Sequence, residues 1–134
     1  MTDENRRRNV VAEWKHVADS LAAVRALVAA RLPNDAVSKA YYAAFHAAAA
    51  LLLTLGLEPK THAGTGTLLG RHFEDKLGAG LVSDFGRLQT FRHAADYDRE
   101  TNFTMEEADA ETRRAEAFVA KAEVLLHADG WLAD

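Results

Sequence analysis

The sequence predicts an all-α fold, an up-and-down bundle of four main helices with one short extra helix. Apolar residues recur at three- and four-residue spacing over long stretches, and no alternation of strand period runs for a useful length. The only two prolines, Pro33 and Pro59, fall where the helical periodicity breaks.

The first helix is expected over about residues 8–32, where Val10, Trp14, Val17, Leu21, Val24, Val28 and Leu32 form one apolar stripe. Asn34 or Asp35 is placed to cap the second, which runs through an alanine-leucine stretch to a glycine stop at Gly56. Its alanines let neighbouring helices approach closely, which suits the centre of a bundle or a dimer interface. Five glycines between Lys60 and Gly80 reduce the next segment to a short helix, about Leu68 to Leu77, flanked by loops. From Leu81 the stripe resumes with Phe85, Leu88, Phe91 and Ala95 and fails in the polar run 98–102. Thr104-Met105-Glu106-Glu107 reads as a capping box opening the last helix, with Ala108, Ala115, Phe118, Ala122 and Leu125 inward until about His127.

The chain is read as one domain over residues 1–134, its first eight or so frayed, with Arg6 to Arg8 a solvated face or tail. A net charge of −4 supplies no long-range field for nucleic acid, so RNA would need a local groove of basic side chains. Its candidates are Arg6 to Arg8, Arg71, His72, Arg87, Arg92 and His93. The absence of cysteine excludes disulfides, thiolate metal sites and a cysteine nucleophile. No apolar leader follows Met1, and the longest apolar run is too short to span a bilayer, so a cytoplasmic location without membrane contact is expected.

The chemistry concentrates in Phe91-Arg92-His93-Ala94-Ala95-Asp96-Tyr97-Asp98, on the last turn of the fourth predicted helix. Arg92 carries a planar donor fork suited to phosphate, His93 titrates near neutrality, and Tyr97 offers a hydroxyl. Arg92 and Asp96 also share a helix face, so a structural ion pair accounts for them equally well. A second polar set, Asp35, Ser38, Tyr42 and His46, lies at three- and four-residue spacing on helix two. Tyr42 and His46 either face the Arg92 turn across the bundle, or the tyrosines pack in the core and His46 bonds to a neighbouring helix. His62 precedes Gly64-Thr65-Gly66-Thr67, which lacks the Gly-Lys-Ser/Thr ending and preceding strand of a phosphate loop; capping by Thr and Gly explains it better. No His-x-x-x-His occurs, and no metal or cofactor is expected.

With these residues in view, the chain resembles a HEPN domain of the small stand-alone branch, over about residues 10–127. The resemblance rests on the run from Ser38 to Ala48, on Gly56-Leu57-Glu58-Pro59-Lys60-Thr61-His62, and on Arg92 to Tyr97, in that order. It implies a helical bundle that commonly dimerises. Several such proteins in toxin and defence systems are metal-independent ribonucleases, whose signature is an arginine, usually a polar residue, then a histidine a few positions on. Two copies meet at the dimer interface. Arg92 and His93 match the first two positions, whereas Tyr97 stands where the histidine often falls. Tyrosine titrates near about 10 and is a poor general base at neutral pH.

Two functions follow from the resemblance. One is a dimeric endoribonuclease using Arg92, His93, Asp96 and Tyr97 on RNA. The other is a non-catalytic nucleotide-binding or partner-docking module, with Ser38, Tyr42, His46 and His62 as binding residues. Stand-alone members are often paired with a minimal nucleotidyltransferase that attaches AMP to a tyrosine near the signature, which makes Tyr97 the implied acceptor if it stands exposed.

Overall fold

The computed structural model describes residues 2–133, which form five α-helices and, among the described residues, no strand. These are α1 (Asp3–Ala29), α2 (Pro33–Leu53), α3 (His62–Leu77), α4 (Ala79–Tyr97) and α5 (Met105–Ala128).

Helix α2 is the axis around which the others pack, for the reason its composition suggests: Ala36, Ala40, Ala43, Ala44, Ala47, Ala48 and Ala50 are all fully buried. Its length and mean hydropathy of 1.2 would suit a membrane span, yet 67% of its most apolar window is buried inside the bundle. The small residues are thus used within one chain, at the centre of the bundle. The α1 stripe meets α2 through Val10, Val17 and Val24, with Trp14, Leu21 and Val28 partly buried beside them, while Leu32 is exposed. From α4 and α5, Phe85, Leu88, Phe118 and Leu126 close the core, and Leu125 is only partly buried.

Several element boundaries differ from the sequence expectation. Helix α1 starts at Asp3, capped by the Thr2 hydroxyl, so Arg6, Arg7 and Arg8 lie within it rather than in a frayed tail. Arg7 donates to the Gly130 carbonyl and lies 5.3 Å over the Trp131 ring, and Arg6 packs beside Gly56, so the arginine run clasps two chain turns. Helix α2 has no side-chain cap: Leu32 is the capping position and Pro33 supplies the first turn. Asn34 is diverted to the α4–α5 connection, donating to the Thr101 carbonyl and accepting from the Phe103 amide, both at 2.8 Å. The chain leaves α2 at Thr54 and turns at Gly56, whose φ of +73° lies in the left-handed region.

Helix α3 is not short. It opens at His62, six residues ahead of expectation, because the Thr61 hydroxyl caps the Gly64 amide at 2.8 Å and its carbonyl accepts from the Thr65 amide. The glycines that argued for loops lie inside the helix on its α4 side, Gly66 beside Phe85 and Gln89 and Gly70 beside Val82. Gly78 alone joins α3 to α4 at φ +92°. The capping box at Thr104 and Glu107 forms as expected.

Candidate functional site

Helix α4 presents Arg92 inward. The residue is 6% exposed, on the same stripe as Phe85 and Leu88, at a position an aliphatic side chain would ordinarily take. Its charge is accommodated by aromatic faces: the guanidinium carbon lies 5.1 Å from the Tyr41 ring centre, 5.7 Å from Tyr42 and 5.9 Å from Tyr97. Asp96, one turn on, approaches Arg92 at 3.6 Å, so the ion pair anticipated from their spacing is present. Arg92 Nε is shut from solvent and has no hydrogen-bond partner among the described residues. A buried donor left unmade costs about 1–3 kcal/mol, so the corner carries an unmet hydrogen bond at its centre.

Tyr41, wholly buried on α2, links Arg92 to a histidine. Its hydroxyl lies 2.7 Å from Nδ1 of His62, the first residue of α3. Burial pushes the Tyr41 phenol well above its ordinary range, and the nearby Arg92 opposes only part of that effect. Tyr41 therefore stays a phenol at any physiological pH. Burial also holds His62 below the usual imidazole value, and Arg92 adds to the shift. The His62 ring packs 4.7 Å from Phe45 and 6.0 Å from Tyr42, and Lys39 Nζ stands 5.6 Å over the outer Tyr42 ring.

At the rim, His93 is exposed, its ring 4.8 Å from that of Tyr97, and Tyr97 is 67% exposed at the end of α4. Gln89, Thr90, Arg92 and His93 line a shallow open depression there. The structure thus gathers Arg92, Asp96, Tyr97 and Tyr42 in one corner, with His62 joined through Tyr41 and His93 beside Tyr97. Ser38 is half-buried one turn before Tyr42. His46 turns away toward α1, with Nδ1 2.7 Å from Glu13 Oε2 and its ring stacked 5.0 Å from His16. Of the two alternatives for helix two, Tyr42 follows the first and His46 the second.

Two features escaped sequence reading. Tyr41 is the hub of the corner, but nothing in an alanine-rich run marks which of two adjacent tyrosines is wholly buried and bonds to His62. Glu111, 1% exposed on α5, receives Arg87 at 3.3 Å and also Arg114, with its Oε1 unpartnered. Its signal was present: Glu111 falls three residues after Ala108 and four before Ala115, within the buried stripe.

A family model described as the HEPN domain matches residues 12–128. A protein of Methanocaldococcus jannaschii named "Putative toxin" is 39% identical over 113 residues, covering 81% of each chain. A second protein of that organism with the same name is 30% identical over 80% of this chain and 74% of its own. The "UPF0332 protein" of Thermotoga maritima is 28% identical over 91% of this chain and 95% of its own. The match spans all five helices and the Arg92 corner they build, and the chain belongs to the HEPN domain family.

Proposed function

We propose that this protein is a toxin- or defence-type HEPN endoribonuclease that works as a dimer and needs no metal. The observation that carries the reading is Arg92: a buried guanidinium among three tyrosine rings, with an unpartnered Nε, beside an open depression that a phosphodiester can enter. The names of the archaeal relatives support the toxin class. Two chains with their Arg92 turns facing each other would double the local positive charge on an otherwise acidic protein.

In this reading Arg92 binds the scissile phosphate and Asp96 holds the guanidinium in place. His93 takes the proton of the RNA 2′-hydroxyl as the 2′-oxygen bonds to phosphorus, and Tyr97 gives a proton to the departing 5′-oxygen. The adjoining His93 and Tyr97 rings allow the proton to return, which restores both groups. Purified protein incubated with total tRNA in EDTA should leave 2′,3′-cyclic phosphate ends. Arg92→Lys keeps a cation in the aromatic cage but loses the planar fork, and should lower cleavage by at least about tenfold. Arg113→Ala, on the exposed face of α5, should not. Equal cleavage, or none, by wild type and Arg92→Lys removes the catalytic reading.

The exposure of Tyr97 favours a second reading, a non-catalytic module docked by a minimal nucleotidyltransferase. Its phenol is open for transfer of AMP from ATP, with pyrophosphate leaving. Incubation with a minimal nucleotidyltransferase plus ATP should add the mass of AMP to wild type and not to Tyr97→Phe. A nucleotide held in the corner at a hundred times its dissociation constant would raise stability by roughly 2.7 kcal/mol.

A further inference from the structure

The run from Arg92 to Tyr97 lacks an imidazole at the position where the family places one, yet the tertiary structure brings another to the same corner. His62 lies about thirty residues earlier in the chain, on the first turn of α3, and is joined to Arg92 through Tyr41. Both His62 and Arg92 also contact Tyr42, His62 edge-on and Arg92 over its ring.

The direction of the Tyr41–His62 hydrogen bond follows from what surrounds it. Arg92 has only donors, so the Tyr41 oxygen turns its lone pairs toward the guanidinium and its hydrogen away from it. The acceptor within reach of that hydrogen is His62 Nδ1, at 2.7 Å. A neutral imidazole that accepts at Nδ1 must carry its own hydrogen at Nε2. That nitrogen has no partner among the described residues and is not sealed from solvent. Burial and the neighbouring arginine both disfavour the imidazolium, so the neutral form is the one present at neutral pH.

We propose that His62 is a neutral Nε2–H donor to a phosphate oxygen, set in that tautomer by Tyr41 and Arg92, and that it brings a second imidazole, besides His93, to the Arg92 corner. Tyr41 is the positioning residue and His62 the group that touches the ligand. The inference rests on the phosphate-handling reading of the Arg92 corner and adds to it a second donor from a different helix. Arg92 provides charge, and His62 provides a directed hydrogen bond whose strength grows as Arg92 polarises Tyr41. The ligand chemistry is a phosphate oxyanion, borne either by an RNA phosphodiester or by a free nucleotide.

Nitrogen NMR of the whole protein, labelled in histidine and arginine, tests this without relying on cleavage. The spectrum should show His62 protonated at Nε2 and bare at Nδ1. Tyr41→Phe, which removes only the hydroxyl, should abolish that bias. Titration with a non-cleavable 2′-deoxy dinucleotide, with AMP and with inorganic phosphate should shift both His62 Nε2 and Arg92 Nε. A stronger response to the dinucleotide identifies a phosphodiester, and a stronger response to AMP a nucleotide; either supports the site. Tyr41→Phe should weaken the better ligand by about three- to tenfold. His62→Gln, which keeps an amide donor near the Nε2 position, should bind better than His62→Phe. A His62 protonated at Nδ1, or a ligand that moves Arg92 Nε but leaves His62 unchanged, overturns the His62 assignment while leaving the Arg92 reading in place. Silence at both residues with every phosphate overturns both.

Discussion

Arg92 shows how one charged residue can occupy a core position when its surroundings supply the right surface. Three tyrosine rings offer their negative faces to the guanidinium, and a single carboxylate at 3.6 Å completes the cage. Burial, with the same arginine adding to it, holds His62 below its ordinary value, with a consequence for stability. Because the folded-state value lies below the unfolded one, the unfolded chain binds the His62 proton more readily as pH falls. Stability present at neutral pH is therefore lost as pH drops below about 6.5, the unfolded imidazole value. Urea midpoints at pH 7 and pH 5 should fall less in His62→Gln than in wild type; an equal fall would show that His62 does not titrate differently in the two states. Glu111 makes a contrasting case. Its carboxylate is enclosed, but Arg87 and Arg114 both keep substantial exposure. Glu111→Ala should cost about 3 kcal/mol through a cavity and two arginines left without their acceptor. Glu111→Met fills the volume while the arginines swing into water, and should cost less than half as much, read from the same midpoints.

At the scale of elements, α3 and its junctions carry the site. His62 meets Tyr41 because Thr61 starts the helix where it does, and α3 then lies along α4, with Gly66 beside Phe85 and Gln89 and Gly70 beside Val82. Gly78 then reverses the chain in a single residue. A methyl group there would meet no atom within 4 Å, so the penalty for Gly78→Ala is conformational alone, set by the φ of +92°. With ψ at 148°, Gly78 occupies the extended positive-φ region that is almost exclusive to glycine, so a loss of about 1–3 kcal/mol in unfolding free energy is expected, with the corner unchanged. A loss near zero would show that the α3–α4 reversal relaxes to another turn without cost.

For the whole molecule, most of α2 is buried in its own chain, so a two-fold contact through α2 would have to use its partly exposed side, Lys39, Tyr42 and His46. The end of α4 is the surface the proposed composite site requires, and Tyr97 is a large side chain exposed there. Light scattering should give the mass of two chains, and Tyr97→Glu, which adds a like charge facing its symmetry mate, should return the mass of one. A wild-type monomer at high concentration removes the two-arginine site and moves the balance to the docking reading. The net charge of −4 sharpens the point, because attraction for phosphate must arise from local geometry rather than from the field of the whole protein.

Periodicity by itself determined that the chain is a helical bundle, which faces of α1, α4 and α5 turn inward, and that Thr104 and Glu107 open the last helix. These properties are local: a helix turns every 3.6 residues whatever lies beside it, and a cap needs only its neighbours in sequence. The motif residues Arg92 to Tyr97 were legible for the same reason. Which partners they meet was not, because helix crossing brings together side chains that sequence spacing does not relate. Only the tertiary structure separated Tyr41 from Tyr42, sent His46 to Glu13 and brought His62 to Tyr41. It also turned the glycine-rich run after Thr61 into helix, since the Thr61 cap and the burial of Thr65, Leu69, Phe73 and Leu77 outweigh the weak helix propensity of glycine there.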